Sequence, residues 1–251
     1  MGRPGLNGNA TAWMVDCHSH VLPSGDDGAA NVEEGRALCV EAARRGTAVL
    51  FATPHVWPHL QLTPERETAI RAAFAELRPR AGLELRLGFE LTPSPVLLRE
   101  DPARYELEGT GCVLVEVPFT GSADLLVKVA EHIEAHGFRP VIAHPERTEA
   151  IAENPRLVRR LSERGWALQV NATSVIGHHG PAIERLAWNM LEKGFVAIVG
   201  SDGHRWTRPA LLDGAWELVH ERYGDDAVHL FDGSALGFGA AVSRRVAGQR
   251  A

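Results

Sequence analysis

The sequence is poor in the residues that several common kinds of site require. Its 251 residues include three cysteines, Cys17, Cys39 and Cys112, an odd number without CxxC spacing. This argues against both a disulfide framework and a cysteine-based zinc site, and we interpret the three as small buried side chains. No apolar run approaches the roughly 20 residues that span a bilayer, and residues 1–12 lack the apolar core of a signal peptide, so we expect a cytoplasmic protein.

Positive charge is also scarce. Lys and Arg number 26 against 32 Asp and Glu, which gives a formal net charge of -6. Because an extended contact with nucleic acid needs clustered Lys and Arg, a nucleic-acid substrate is disfavoured. With 45% hydrophobic residues, the chain can bury one sizeable core. We expect a single domain over residues 14–251, after an N-terminal extension of residues 1–13.

Short apolar runs alternate with helical patterns along the chain, and this order predicts an α/β fold with parallel strands. Asn31, Thr63 and Asn154 are predicted helix N-caps, the last two because a proline follows each of them. Strands that each lead into a helix or connecting segment favour a single-domain, distorted (β/α)7 TIM-like barrel over an open sheet. The predicted strands are residues 14–17, 49–52, 85–89, 112–117, 140–143, 167–170 and 196–200.

The first predicted strand ends in the sequence DCHSH, residues 16–20. Because strand side chains alternate, Asp16, His18 and His20 share one face, and the two imidazoles converge on one point. Such a pair predicts a metal site. Taken alone, it is equally compatible with two partly exposed histidines at the end of a strand.

Nearly every other predicted strand also ends in a side chain that can bind a metal. In barrels of this class the carboxyl ends of the strands surround the active site, so these side chains are expected to share one pocket. Imidazoles and carboxylates without thiolate suit Mn, Fe or Zn, and carboxylates can bridge two ions. Asp27, in the turn SGDDG, is by its local sequence either a turn residue or a further ligand. The strand-end candidates are His55, Glu90, Glu116, His144, Asp202 and His204.

Several other cysteine, arginine and histidine residues are weaker candidates for a catalytic or substrate-binding role. Cys39 and Arg45 match the Cys-x5-Arg spacing of thiol phosphatases, but we assign them to a helix, where backbone amides are not free to bind phosphate. His59, His178 and His179 lie in loops near the expected mouth of the barrel, and their role is open.

The ordered set DxHSH, DDG, ATPH, GxE, EVP, HPER and SDxH, from about Asp16 to Pro209, resembles the PHP (polymerase and histidinol phosphatase) superfamily. It is most similar to the bacterial protein tyrosine phosphatases that regulate capsular polysaccharide synthesis. Around His55 the sequence HVWPH departs from the more polar, glycine-containing sequence common in that group.

The resemblance implies two or three divalent metal ions, with Mn favoured over Fe or Zn. It also implies that Arg147 of HPER contacts the substrate phosphate, which suits a guanidinium fork, and that an arginine after SDxH, Arg205 or Arg208, assists it. The implied ligand sets are His18, His20, Glu90 and Asp202 for one metal; Glu90, Glu116 and His144 for a second; and Asp27, His55 and His204 for a third.

These observations predict a metal-dependent phosphomonoester hydrolase, foremost a protein tyrosine phosphatase linked to capsular or exopolysaccharide synthesis, with phosphotyrosine of a bacterial tyrosine kinase as one substrate. Three alternatives stay open: a small-molecule phosphatase of the histidinol-phosphate type, a metal-dependent amidohydrolase, and a non-catalytic regulatory metal-binding protein. Amidohydrolase sites also begin with HxH but commonly use a bridging lysine, where this chain offers Glu90. The sequence leaves the oligomeric state open.

Overall fold

The computed structural model describes residues 12–237, in which strands and helices alternate. Each predicted strand is present. The strands are β1 (Met14–Ser19), β2 (Thr47–Ala52), β3 (His55–Val56), β4 (Glu84–Leu87), β5 (Glu90–Leu91), β6 (Glu106–Leu107), β7 (Cys112–Glu116), β8 (Arg139–Ala143), β9 (Ala167–Asn171) and β10 (Val196–Gly200). The α-helices are α1 (Val32–Arg44), α2 (Pro64–Leu77), α3 (Asp124–Ala135), α4 (Glu149–Glu153), α5 (Arg156–Glu163), α6 (Ala172–Val175), α7 (Pro181–Glu192) and α8 (Asp213–Tyr223).

The strands form two sheets, with orders β1-β2-β4 and β10-β9-β8-β7-β5-β3, and β6 pairs with β7. All pairs are parallel except that of β6 with β7. The predicted α/β class with parallel strands is therefore confirmed. Strand pairing within residues 12–237 does not join the sheets into one closed barrel. Backbone hydrogen bonds nevertheless link them, because Asp202 N–H donates to His18 O (2.9 Å) and His20 N–H donates to Gly203 O (2.6 Å).

Three very short strands, β3, β5 and β6, were not predicted, because a two-residue strand has no periodicity to recognise. Of these, β3 and β5 each follow a longer strand after a short break, and Glu90 N–H donates to Pro54 O at 3.1 Å. The register of β3 with β5 pairs His55 with Glu90, and that of β5 with β7 pairs Glu90 with Leu114. These short strands therefore bring His55 beside Glu90.

Two of the three predicted helix caps are confirmed. Asn31 accepts a hydrogen bond from Glu34 N–H, and Thr63 accepts one from Arg66 N–H ahead of Pro64. The prediction for Asn154 is wrong, because this residue ends α4 and α5 begins only at Arg156. The short helix α4 has its C-cap at Asn154, the residue that we predicted as the N-cap of the next helix.

The apolar interior consists of two clusters that use alternate residues of the same strands. Val113 and Ile142 belong to the larger cluster, which also contains the buried faces of the helices. Leu114 and Val141 belong to the smaller one, which contains strand residues and only a few others. Glu116 lies two residues after Leu114, so its side chain is on the same face of β7. At the carboxyl end of the strand, this face leads from the apolar interior to the predicted metal site.

Residues 1–11 of the predicted N-terminal extension and residues 238–251 of the predicted domain lie outside the described residues. Within residues 12–237, no helix combines the length and the apolar character that crossing a membrane requires.

Replacing Asn31 by Ala is expected to lower the free energy of unfolding by about 1 kcal/mol, because α1 loses its side-chain cap. Denaturant unfolding measures the loss. Asn31→Ser is the control, since Ser caps about as well as Asn. An equal loss in both variants would mean that capping is not the cause.

Candidate metal centre

The side chains predicted to bind metals all lie in one cluster at the carboxyl ends of the strands. Their ligand atoms form three groups, and within each group the atoms lie within 4.8 Å of one another. Glu90 and His20 each belong to two groups, so the groups adjoin. They are His18, His20, Glu90 and Asp202; Glu90, Glu116 and His144; and His20, Asp27, His55 and His204.

Glu90, fully buried at the start of β5, lies at the centre of the cluster. Its Oε2 is 3.1 Å from His18 Nε2, 3.2 Å from His20 Nε2 and 2.8 Å from His55 Nδ1. Its other oxygen, Oε1, is 2.9 Å from His144 Nε2. Glu90 Oε2 and His55 Nδ1 nevertheless make no well-oriented hydrogen bond among the described residues. Because buried polar atoms are rarely left unpaired, a carboxylate oxygen so surrounded has the surroundings of a bridging metal ligand.

Asp202, in the loop after β10, is the second carboxylate of this region. Its Oδ1 lies 3.5 Å from both His18 Nε2 and His20 Nε2. Its Oδ2 accepts hydrogen bonds from Arg147 Nη1 at 2.7 Å and Asn171 Nδ2 at 2.8 Å. One oxygen thus faces the histidines while the other is fixed by donors, which orients the carboxylate.

Asp27 bridges two histidines at the exposed side of the cluster. Its Oδ1 lies 3.4 Å from His55 Nε2 and 3.2 Å from His204 Nε2. The neighbouring Asp26 is a supporting residue that the sequence did not reveal. It accepts hydrogen bonds from His55 N–H (2.9 Å) and Gly28 N–H (3.0 Å), and so holds the loop against the start of β3. Adjacent aspartates in a turn follow no regular alternation, so their roles could not be separated beforehand.

The alternative interpretation of HxH, two partly exposed histidines, is wrong. His18 and His20 are both fully buried, and their Nε2 atoms lie 3.2 Å apart. His18 Nδ1 lies 3.0 Å from Gln169 Oε1. Gln169 in turn donates to Asn171 Oδ1 at 2.8 Å, so a buried amide chain connects His18 with Asp202. Such outer partners fix the ring orientation of a metal-binding histidine.

Some side chains of the cluster bind protons strongly for the same reason that the cluster suits cations. Burial opposes charge on His18, but Glu90 and Asp202 outweigh this and raise its pKa to about 9. Burial likewise opposes charge on His55, but Glu90 and Asp27 raise its pKa to about 11. Burial and the charge of Glu90 together raise the pKa of Glu116. Because ligands bind a metal only when deprotonated, metal binding here competes with protons.

Backbone strain is concentrated at two of the candidate ligands. Within residues 12–237, His144 (φ 33°) and Asp202 (φ 50°) are the non-glycine residues with positive φ. Such conformations persist only where surrounding contacts enforce them, and they occur preferentially at functional sites. Glu146 provides one such contact, because its buried carboxylate accepts from Asn171 N–H (2.9 Å) and Ser174 Oγ (2.7 Å) and so fixes the turn after His144.

A cavity of about 660 Å³ opens beside the cluster, and both predicted phosphate-binding arginines line it. Arg147 forms an ion pair with Asp202, at 2.7 Å between Nη1 and Oδ2. Of the two arginines after SDxH, Arg208 lines the cavity, whereas Arg205 donates to Gly28 O.

The three loop histidines differ in position. His59 lines the cavity. His179 Nε2 lies 3.0 Å from Thr173 Oγ1, and its pKa falls to about 4 through burial and the positive charges of Arg147 and Arg208. His178 precedes it in the same loop.

Residues 14–232 match the family described as capsular polysaccharide synthesis, CpsB/CapC. The chain belongs to the CpsB/CapC family. The resemblance inferred from the motifs is thereby confirmed at the level of the bacterial capsule group.

One named relative and two solved structures define the similarity further. The tyrosine-protein phosphatase YwqE of Bacillus subtilis is 29% identical over 238 residues, covering 88% of this chain and 90% of the relative. A solved structure from work on YwqE of Bacillus subtilis and CpsB of Streptococcus pneumoniae, described as metal-dependent tyrosine phosphatases, matches with a TM-score of 0.80 at 27% identity. The match covers 90% of this chain and 94% of the chain in that structure. A D-hydantoinase from Thermus sp. shares the fold alone, with a TM-score of 0.54 at 11% identity over 95% of this chain and 73% of its own.

The cysteines have no part in this CpsB/CapC site. All three are free and buried, as predicted. Cys39 lies in the middle of α1, and Arg45 pairs instead with Glu41 and Asp213. Burial raises the pKa of the Cys39 thiol to about 12. A thiol of that pKa is a poor nucleophile near neutral pH.

Thiol-directed reagents are therefore expected to leave native protein unlabelled at pH 8, where a thiol of pKa about 12 is ionised in about one molecule in ten thousand. Mass spectrometry before and after denaturation measures the labelling, and Cys39→Ser should keep full phosphatase activity. Loss of turnover in Cys39→Ser with its metals still bound would restore the thiol mechanism.

Proposed function

We propose that this protein is a metal-dependent protein tyrosine phosphatase that acts in capsular or exopolysaccharide synthesis. The observation that carries the proposal is the adjacency of a buried histidine and carboxylate cluster to two guanidinium groups in one cavity. The names of the relatives support the same activity, since they are tyrosine-protein phosphatases.

We further propose that two or three divalent ions occupy the cluster, with Mn favoured over Fe or Zn. The donor set supports this, because it combines imidazoles with carboxylates and contains no thiolate. Glu90 would serve two of the ions, since the two ligand groups that contain it approach its two different oxygens. Bound divalent cations at such a centre lower the pKa of water and neutralise phosphate charge.

The protein's own residues would bind and orient the phosphate ester. Arg147 is fixed through Asp202, and one hydrogen bond leaves further N–H donors of its guanidinium for phosphate oxygens. Arg208, 3.5 Å from the same Asp202 oxygen, would neutralise charge from a second side. Attack by water then needs no cysteine and no covalent enzyme intermediate.

A distorted (β/α)7 barrel is the architecture that we propose for the two sheets. The hydrogen bonds between β1 and the segment after β10 support it, as does the continuation of β2 into β3 and of β4 into β5. The likeness to a D-hydantoinase keeps the amidohydrolase alternative open through the fold alone. Two alternatives stay predictions: a small-molecule phosphatase of the histidinol-phosphate type and a non-catalytic regulatory protein. The bacterial tyrosine kinase as the source of the phosphorylated substrate, and the cytoplasmic location, are also still predictions.

Activity assays with metal analysis test the proposal. The purified chain, supplied with Mn, should hydrolyse a phosphotyrosyl peptide, lose activity with chelator, and leave amide and lactone substrates intact. His18→Ala combined with His20→Ala should lose bound metal and at least about 100-fold in kcat/KM, because removing even an outer partner of a metal ligand costs roughly 10- to 100-fold.

His136→Ala is the matched control for this double variant, since His136 is an exposed histidine at the end of α3. Circular dichroism verifies that each variant is folded. Hydrolysis of amides or lactones in preference to the phosphopeptide would instead support the amidohydrolase alternative. Full activity and metal content in the double variant would refute the assigned metal centre.

Replacing Arg147 by Lys should lower kcat/KM on a phosphate ester by about tenfold or more, because Lys keeps the charge but loses the bidentate geometry. Arg147→Ala should lose more, while both keep their metal. Arg164→Lys, at a surface guanidinium paired with Glu131 and Glu134, is the control. Wild-type kcat and KM in Arg147→Ala would show that this arginine does not touch substrate.

A further inference from the structure

We propose that Phe119 and Trp57 form an aryl-binding slot, which makes the site select phosphate esters of phenols over those of aliphatic alcohols. This inference rests on the phosphatase function proposed above. Both aromatic residues line the cavity beside the metal centre. Trp57 lies two residues after the candidate ligand His55.

Phe119 offers an aromatic surface that the residues described by the structure leave partly uncovered. Its side chain is 46% exposed, although it lies in a loop directly after the buried strand β7. Its ring stacks on the imidazole of His144, with centroids 5.5 Å apart and planes 3° from parallel, and Arg147 Cζ lies 5.0 Å from its centroid. The Phe119 ring is thus held against one candidate ligand and the arginine expected to bind phosphate.

Trp57 occupies the corresponding position beside a different candidate ligand. Its ring stacks on the imidazole of His55, with centroids 4.4 Å apart. Arg66 holds the loop that carries it, because its guanidinium donates to His55 O at 2.8 Å and Leu60 O at 3.0 Å. A third hydrogen bond, to Ser24 O at 3.0 Å, joins this loop to the turn that contains Asp27. The position of Trp57 is therefore tied to that of the metal centre.

The contacts with Glu90 explain how the two rings flank one space. His55 approaches Glu90 Oε2 at 2.8 Å, whereas His144 approaches the opposite oxygen, Oε1, at 2.9 Å. Because each aromatic ring stacks on one of these histidines and both rings line the same cavity, we infer that they flank the space beside the central carboxylate. A phosphate bound over the cluster would then direct its ester group between them.

An aromatic ester group fits this space better than an aliphatic one. Flat apolar rings prefer offset or edge contact with other aromatic rings, and such pairs contribute beyond the area that they bury. The cavity of about 660 Å³ also exceeds what a phosphate group alone would fill. A short aliphatic ester would leave both rings in water.

Binding of two phosphonates tests the slot without turnover. Phenylphosphonate and methylphosphonate carry the same acidic group and differ in the substituent only. Calorimetry on the Mn-loaded full chain should show that Phe119→Ala and Trp57→Ala each weaken phenylphosphonate binding by about tenfold and leave methylphosphonate binding within about twofold of wild type. Phe119→Leu, which keeps apolar volume without the aromatic ring, should fall between wild type and Phe119→Ala.

Kinetics supply the second readout. The ratio of kcat/KM for a phosphotyrosyl peptide to that for the phosphoseryl peptide of the same sequence should fall about tenfold in Phe119→Ala and in Trp57→Ala. Trp206→Ala is the control and should keep the wild-type ratio, because Trp206 is an exposed aromatic residue of a neighbouring loop.

An equal loss for both phosphonates, or for both peptides, would overturn the slot, since it would mean that the rings act only by supporting His55, His144 or Arg147. Unchanged phenylphosphonate binding in both alanine variants would overturn it as well. If wild-type protein hydrolyses neither peptide, the proposed function fails, and the phosphonate measurements still decide whether the aryl slot exists.

Discussion

The rest of the site depends on the contacts of one buried carboxylate, that of Glu90. Three ring nitrogens lie within 3.2 Å of its Oε2, and a fourth lies 2.9 Å from its Oε1. Removing such a charge from water is costly, so it persists only where cations or donors surround it. Protons on the histidines or bound metal ions can both fulfil this need, which explains why the pKa of Glu90 lies well below its usual range despite burial.

The surrounding structure holds this cluster rigidly. His144 and Asp202 have left-handed backbone conformations, and each is fixed by contacts from neighbouring strands. At Gly203 a side chain would collide with the backbone of Ala210, so the turn after Asp202 requires glycine. Conformational strain at the ligands is thus balanced by tight packing around them, and the geometry exists before a substrate arrives.

The chemistry and the selectivity of the site reside in different parts of the chain. All candidate ligands except Asp27, which lies in a turn, come from strand ends or the residues just after them, whose positions follow from the pairing of buried strands. Phe119, Trp57 and Arg208 come from the loops beyond those ends. Loops can change without disturbing the strands. Proteins that share this fold, from a phosphatase to a D-hydantoinase, can therefore differ in what they bind.

The sequence by itself determined the α/β class, the order of the longer strands and the residues that end them, because alternation and helix caps are local properties. It could also indicate His18 and Glu90, since both lie in motifs at strand ends. Only the tertiary structure decided that Arg147 pairs with Asp202 and that Asp26 supports the turn beside Asp27. Those contacts depend on the register of short strands and on positive φ angles, which join residues far apart in the chain and leave no periodic signal in it.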